Sequence, residues 1–132
     1  MLSGCVESSC MIMMEPLEDT VVLAIDCQAT AADPARGQIL EIGWARAKAS
    51  GCRAPRVETR LIAPPEGTSI PRRVLRITGI PESDLASAGT QEQAWRDLME
   101  SFRRLKRTPV PVIIHYARFE TPWLRRLHDT YS

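Results

Sequence analysis

The chain has 132 residues, 44% of them hydrophobic and 25% charged, and its 17 basic and 16 acidic side chains leave a formal charge of +1. That length suits one domain around a single core, and that composition excludes wholesale disorder. No apolar run approaches the roughly 20 residues of a membrane span, so no membrane association is expected.

The charge is unevenly spread. Three basic and seven acidic residues precede Arg53, whereas fourteen basic and nine acidic follow from Arg53 onward. The resulting −4 and +5 are compatible with an anionic ligand, and equally with solvated Arg-rich helices. Cys5, Cys10, Cys27 and Cys52 form no CxxC pair, and His115 and His128 are not spaced for zinc. Met11 to Met14 is apolar, but no Lys or Arg precedes it and Glu7 and Glu15 flank it, unlike a secretory signal. The thiols are therefore read as reduced and the protein as cytoplasmic. Residues 1–18 are expected to be a loose extension and 19–132 the folded domain.

Val21 to Ile25 is a short continuous apolar run ending at Asp26, as in a strand buried on both faces. Asp33-Pro34 and Gly37 supply turn chemistry. Gln38 to Ala47 reads as a second strand through Ile39, Leu40, Ile42 and Trp44, and Val57 to Ala63 as a third. Short turns join the three, so an antiparallel meander is the economical topology. Pro64-Pro65 opens an irregular connection that runs past Pro81. Thr90 is a plausible N-cap, and Ala94, Trp95, Leu98, Phe102 and Leu105 recur at helical spacing as far as Arg107. After Pro109 and Pro111, Val112 to Ile114 predicts a fourth, buried strand that delivers His115. A second helix is expected from about Phe119 to Pro122 onward, carrying Trp123, Leu124 and Leu127 inward.

Three strands, a helix, a strand and a helix make an α/β domain. In open α/β sheets ligands gather beyond the carboxyl ends of parallel strands. Asp26 and His115 stand at two such ends, and if strands one and four are parallel neighbours, Asp26 and Glu120 converge. A carboxylate at a buried strand end is costly unless it is paired or binds a cation. Two such groups at one sheet edge suit Mg²⁺ or Mn²⁺, which grip phosphate oxygens. Spacing alone leaves plainer alternatives open: Asp26 as a turn residue, Glu120 as a first-turn helix acid, and His115 and Phe119 as a strand-end hydrogen-bonder and a core residue.

The segment Asp26-Cys27-Gln28-Ala29-Thr30, followed by Ile39-Leu40-Glu41-Ile42-Gly43, resembles the first motif region of DnaQ-like (DEDDh) 3′-to-5′ exonucleases, a family that includes the proofreading epsilon subunit of bacterial DNA polymerase III. Ile70-Pro71 and Ile77-Thr78-Gly79-Ile80 resemble the segment between the family's third strand and first helix. His115-Tyr116-Ala117-Arg118-Phe119-Glu120 resembles its second motif, His-Asn-x-x-Phe-Asp. The similarity runs from about Val21 to Leu127. It implies a ribonuclease-H-like mixed sheet with flanking helices, and a two-metal phosphodiester hydrolysis with Mg²⁺ or Mn²⁺ at the 3′ ends of single-stranded DNA or RNA, with a DNA polymerase as a possible partner. Carried onto this chain, Asp26 is the carboxylate shared by both metals, Gln28 stands at the second ligand position, and Glu120 holds the leaving-group metal. Ala29, Thr30, Thr78, His115, Tyr116 and Phe119 then border the terminal nucleotide.

Two departures bear on activity. Gln28 stands where the family has Glu, offering an amide oxygen without charge. The family's third motif, a His followed by Asp, lies several tens of residues beyond Glu120, so this chain is expected to hold a C-terminally incomplete domain, feeble or inactive alone. The alternative reading is a catalytically degenerate nucleic-acid-binding module whose Arg72, Arg73, Arg76, Arg103, Arg104 and Arg107 contact phosphates. A third is an interaction domain with no nucleic-acid role.

Overall fold

The computed structural model describes residues 15–51 and 53–132. Most of the loose extension expected over residues 1–18, and three of the four cysteines, lie outside those residues. Leu17–Asp19 forms one 3₁₀ turn, and Cys27 is a buried free thiol.

Four strands make one mixed sheet in the order β3-β2-β1-β4, with β1 at Val21–Ala29, β2 at Ile39–Lys48, β3 at Val57–Leu61 and β4 at Val112–Ile114. β1 pairs antiparallel with β2, β2 antiparallel with β3, and β1 parallel with β4. The meander is as the sequence predicts, and β1 and β4 are parallel neighbours, the condition on which Asp26 and Glu120 were expected to converge. β1, however, continues past Asp26 to Ala29, because β2 goes on pairing with it through Gln28↔Glu41 until the register shifts between Gln28 and Ala29. β4 matches only Leu23 to Ile25, so β1 outruns it.

The turn from β1 to β2 is closed by Thr30, whose Oγ1 accepts from the Gln38 amide at 2.8 Å. Gly37 sits so near that a Cβ there would stand 2.8 Å from that of Ala31, which only glycine avoids.

Leu23, Ile25 and Cys27 of β1 and Ile42 and Trp44 of β2 point to one face of the sheet, where two helices cover them. These are α3 (Gln91–Arg104) and α4 (Ala117–Tyr131), contributing Ala94, Trp95, Leu98, Trp123 and Leu127. Thr90 caps α3 as expected, accepting from the Gln93 amide at 3.2 Å. Arg60 of β3 ties the sheet to α3 through an ion pair with Asp97 at 2.6 Å and lies over the Trp44 ring at 5.2 Å. The Arg60 hydrogen bond holds the Asp97 carboxyl below its usual range.

The connection read as irregular contains two short helices, α1 (Arg72–Thr78) and α2 (Glu82–Ala86). Gly79 ends α1 in the left-handed conformation at φ 70°, which glycine adopts without a steric cost. Together they seal a second, smaller core of Leu40, Ile70, Ile80 and Leu85. α4 begins at Ala117, two residues earlier than the periodicity implies, and accommodates Pro122. The rest of the opposite sheet face, bearing Ala24, Asp26, Gln28, Glu41 and Thr59, borders an open groove. Among the described residues no helix is long and apolar enough to cross a membrane.

Leu98 is fully buried between α3 and the sheet. Leu98→Ala is expected to destabilise the fold by about 2–5 kcal/mol through lost burial and a residual cavity, read as a lowered urea midpoint with an unchanged m-value.

Candidate active site

The strand β1 alternates, so with Leu23, Ile25 and Cys27 facing the large core, Asp26 and Gln28 project toward the open face. Asp26 is exposed there. Because β4 stops level with Ile25, the flank of Asp26 is not taken by another strand, and the first turns of α4 lie there instead. That brings Glu120 alongside. It is only 2% exposed, is close enough to Asp26 for their carboxyl groups to share a hydrogen bond, and one of its oxygens, Oε2, has no hydrogen-bond partner.

Two carboxyl groups at contact distance, one buried, cannot both be charged cheaply. Burial pushes the Glu120 carboxyl up from 4.5 to about 7, with the hydrogen bond to Asp26 and the Asp26 charge adding to it, while the Cys27 backbone amide acts in the opposite sense. The same charges reach neighbouring groups. Burial raises the Cys27 thiol well above its ordinary range, with Glu120 and then Asp26 contributing. Glu41 is raised by burial and next by Asp26.

Sequence reasoning gave Glu41 no separate role. It faces Gln28 across the strand pair and lines the same groove of about 440 Å³ as Asp26, Gln28 and His115. Its signal was available in the antiparallel register, which places a second acid on the face that carries Asp26.

A second groove, of about 390 Å³, lies at the end of β1 between α1 and α4. Gln28, Ala29, Thr30, Thr78 and Phe119 all line it, together with Arg73, Val74 and Ile77. Tyr116 is 59% exposed and stacks on Phe119 with ring centroids 6.3 Å apart and planes within 9°. Of the nine side chains singled out in the sequence, Gln28 alone borders both grooves. His115 falls in the first with Asp26, and Glu120 is buried beside Asp26 without lining either. Two hydroxyls expected near a substrate are engaged with backbone. Thr30 accepts from Gln38, and Thr78 donates to the Val74 carbonyl at 2.9 Å.

The donor set favours a hard cation. Asp26 and Glu120 offer carboxylate oxygens, and the orphaned Glu120 oxygen lacks the partner that a buried acid ordinarily has. Mg²⁺ is commonly held by one or two carboxylates with waters and phosphate oxygens completing its shell, so the pair fits one such ion. Among the described residues no three His, Cys, Asp or Glu side chains are grouped to hold a metal. The further oxygen donors in the Asp26 groove are the uncharged Gln28 amide and the Glu41 carboxyl across from it.

The fold matches solved structures of exonuclease I. Product-bound exonuclease I superimposes with a TM-score of 0.66 at 16% identity, over 84% of this chain and 25% of that one. E. coli exonuclease I in complex with a dA16 oligonucleotide gives 0.68 at 14% identity, over 83% and 23%. A further exonuclease I structure gives 0.69 at 14% identity, over 83% and 24%. This chain thus spans about a quarter of the length of the exonuclease I chains it resembles. No protein-family profile matches it, and no curated protein does. Such a likeness establishes the architecture: a ribonuclease-H-like mixed sheet flanked by helices.

The raised Glu120 carboxyl makes metal-free stability depend on pH. The folded state holds a proton that the unfolded chain releases near 4.5, so this contribution is fully present below pH 4.5 and is lost as pH rises through about 7. In chelator, unfolding free energy is expected to fall by roughly 1–3 kcal/mol over that interval. Glu120→Gln should flatten the fall, as measured by urea titrations at stepped pH; an unchanged slope in the variant would refute the assignment to Glu120.

Proposed function

We propose that this chain is a DnaQ-like exonuclease domain that acts on the 3′ ends of single-stranded nucleic acid by metal-dependent phosphodiester hydrolysis, slowly when on its own. The observation that carries this reading is the contact between Asp26 and the buried, incompletely partnered Glu120 at the carboxyl end of β1. The four ordered motif resemblances and the exonuclease I architecture support it independently, and the oligonucleotide in the related E. coli structure supports a single-stranded substrate.

In this reading Asp26 and Glu120 hold a divalent cation, Mg²⁺ or Mn²⁺, which when bound supplies positive charge to the scissile phosphate. The chain's own residues do the rest. Phe119 and Ile77 offer apolar surface to the terminal nucleoside in the second groove, and Tyr116 extends the Phe119 stack. Gln28 joins that groove to the one holding Asp26, so a phosphate seated there lies next to the acidic pair. His115 lines the Asp26 groove and is placed to hydrogen-bond a phosphate oxygen or water. Slow hydrolysis follows from Gln28, which adds no negative charge toward a second cation, and full activity in two-metal sites depends on both. The same neutral amide favours the second reading, a binding module that has lost catalysis.

The deciding experiment incubates the purified chain with Mn²⁺ and a 5′-labelled single-stranded DNA. A slow 3′-to-5′ ladder is expected, and Asp26→Ala should abolish it. Gln28→Glu should raise the rate at least about tenfold, a barrier change near 1.4 kcal/mol. Digestion that survives Asp26→Ala would overturn the assignment. Tight DNA binding with no digestion by either the wild type or Gln28→Glu would favour the binding module.

A further inference from the structure

We propose that the solvent face of α1, formed by Arg72, Arg73 and Arg76, holds the phosphate backbone of a single-stranded nucleic acid whose end lies in the groove bounded by Thr78 and Phe119. This rests on the nucleic-acid reading above and extends it to a strip of surface outside the acidic pair.

The six arginines flagged in the sequence behave differently in the fold. Arg103 and Arg104 pair with Glu100 at 3.6 and 3.4 Å, and Arg107 pairs with Glu15 at 2.5 Å. Their charge is answered locally by acids. Among the described residues, none of the ion pairs involves Arg72, Arg73 or Arg76, and all three are exposed.

Their placement is directional. At 3.6 residues per turn the three positions fall within roughly 100° of arc on α1. The opposite side of the helix carries Val74 and Leu75, packed against the core of Leu40, Ile70, Ile80 and Leu85. The helix is therefore anchored by one face and presents guanidinium groups on the other. Arg73 itself lines the second groove beside Gln28 and Phe119, and Ile77, 70% exposed, lies between the arginines and the groove floor. A strand leaving the groove meets Arg73 first and then the Arg72–Arg76 pair, whose positions are about 6 Å apart along the axis.

Only Arg76, in the last turn, gains from the helix dipole. Like charges four residues apart destabilise a helix, and α1 has no acid in its first turn to offset them. Arginine forks match phosphate oxygens bidentately, so three in one arc fit consecutive phosphates of an extended strand. The bases can then lie toward Ile77 and the exposed Tyr116 ring.

The test is fluorescence anisotropy with labelled dT16 and rU16 in chelator, so that no hydrolysis interferes. The triple variant Arg72→Ala/Arg73→Ala/Arg76→Ala is expected to bind about ten- to a hundredfold more weakly at 0.1 M salt. Its plot of log affinity against log salt should be shallower by about 2, the loss expected for three phosphate contacts to a single strand. The effect should be equal for the two oligonucleotides, since the backbone phosphate is the ligand. The triple Lys variant should keep most of the affinity, and Arg103→Ala/Arg104→Ala/Arg107→Ala should bind within about twofold of wild type. Thermal melts verify folding, and if the Ala triple melts early, Arg72→Gln/Arg76→Gln replaces it with the same expected direction. Wild-type affinity and slope in the α1 variants overturns the arginine track alone, as does an equal loss in the Arg103 set. No binding by the wild type overturns the nucleic-acid reading along with it.

Discussion

The geometry of this domain turns on a mismatch in strand length. β4 pairs with β1 for three residues and then stops, while β1 runs on for four more with only β2 beside it. The flank left open at Asp26 is filled by the first turns of α4, and only there can a helix acid approach the strand without displacing a partner. Glu120 is thus brought out of water against Asp26, where its charge is opposed by burial and by its neighbour. The positive end of the α4 dipole and the Cys27 amide act the other way. A longer β4 would carry the chain past this point and separate the two carboxyl groups.

The two sides of the sheet divide the labour. One is closed by α3 and α4 over a core of large apolar side chains and supplies the rigidity. The other is covered only at one end, by α1 and α2, and leaves a groove along the rest. Every exposed polar group of interest belongs to this second side or to its rim. The pattern is consistent with the charge split along the chain, since the acids of β1 and β2 come from the negative part and the arginines of α1 from the positive part.

Much of this arrangement was legible in the sequence. The apolar run ending at Asp26, the meander and the capped amphipathic α3 carry strong local periodicity or capping chemistry, and each is present. The strand before His115 is present too, but as a sheet edge with Val112 and Ile113 exposed rather than as the buried strand its apolar residues suggest, because β1 pairs it on one side only. The misses share a cause. α1 and α2 are seven and five residues long, set between prolines, and too short to hold as helices without the small core they cover. The four extra residues of β1 include Gln28 and Ala29, which look like a turn until the pairing with β2 is known. Within the candidate site, the convergence of Asp26 and Glu120 was legible from residue type and strand ends. Glu41 was overlooked because its importance lies in what stands across from it. Thr30 and Thr78 have side chains suited to a ligand, yet local backbone groups claim both hydroxyls, a competition that residue type alone does not reveal.

Gln28 forms the wall shared by the two grooves. A primary amide has unlike ends, one donating and one accepting, and rotating the terminal group by half a turn exchanges them. A carboxylate in its place would present the same acceptor to either side. Neutrality at this position therefore removes a charge and, in the same stroke, makes the partition two-faced: whichever chamber receives the oxygen, the other receives the N–H.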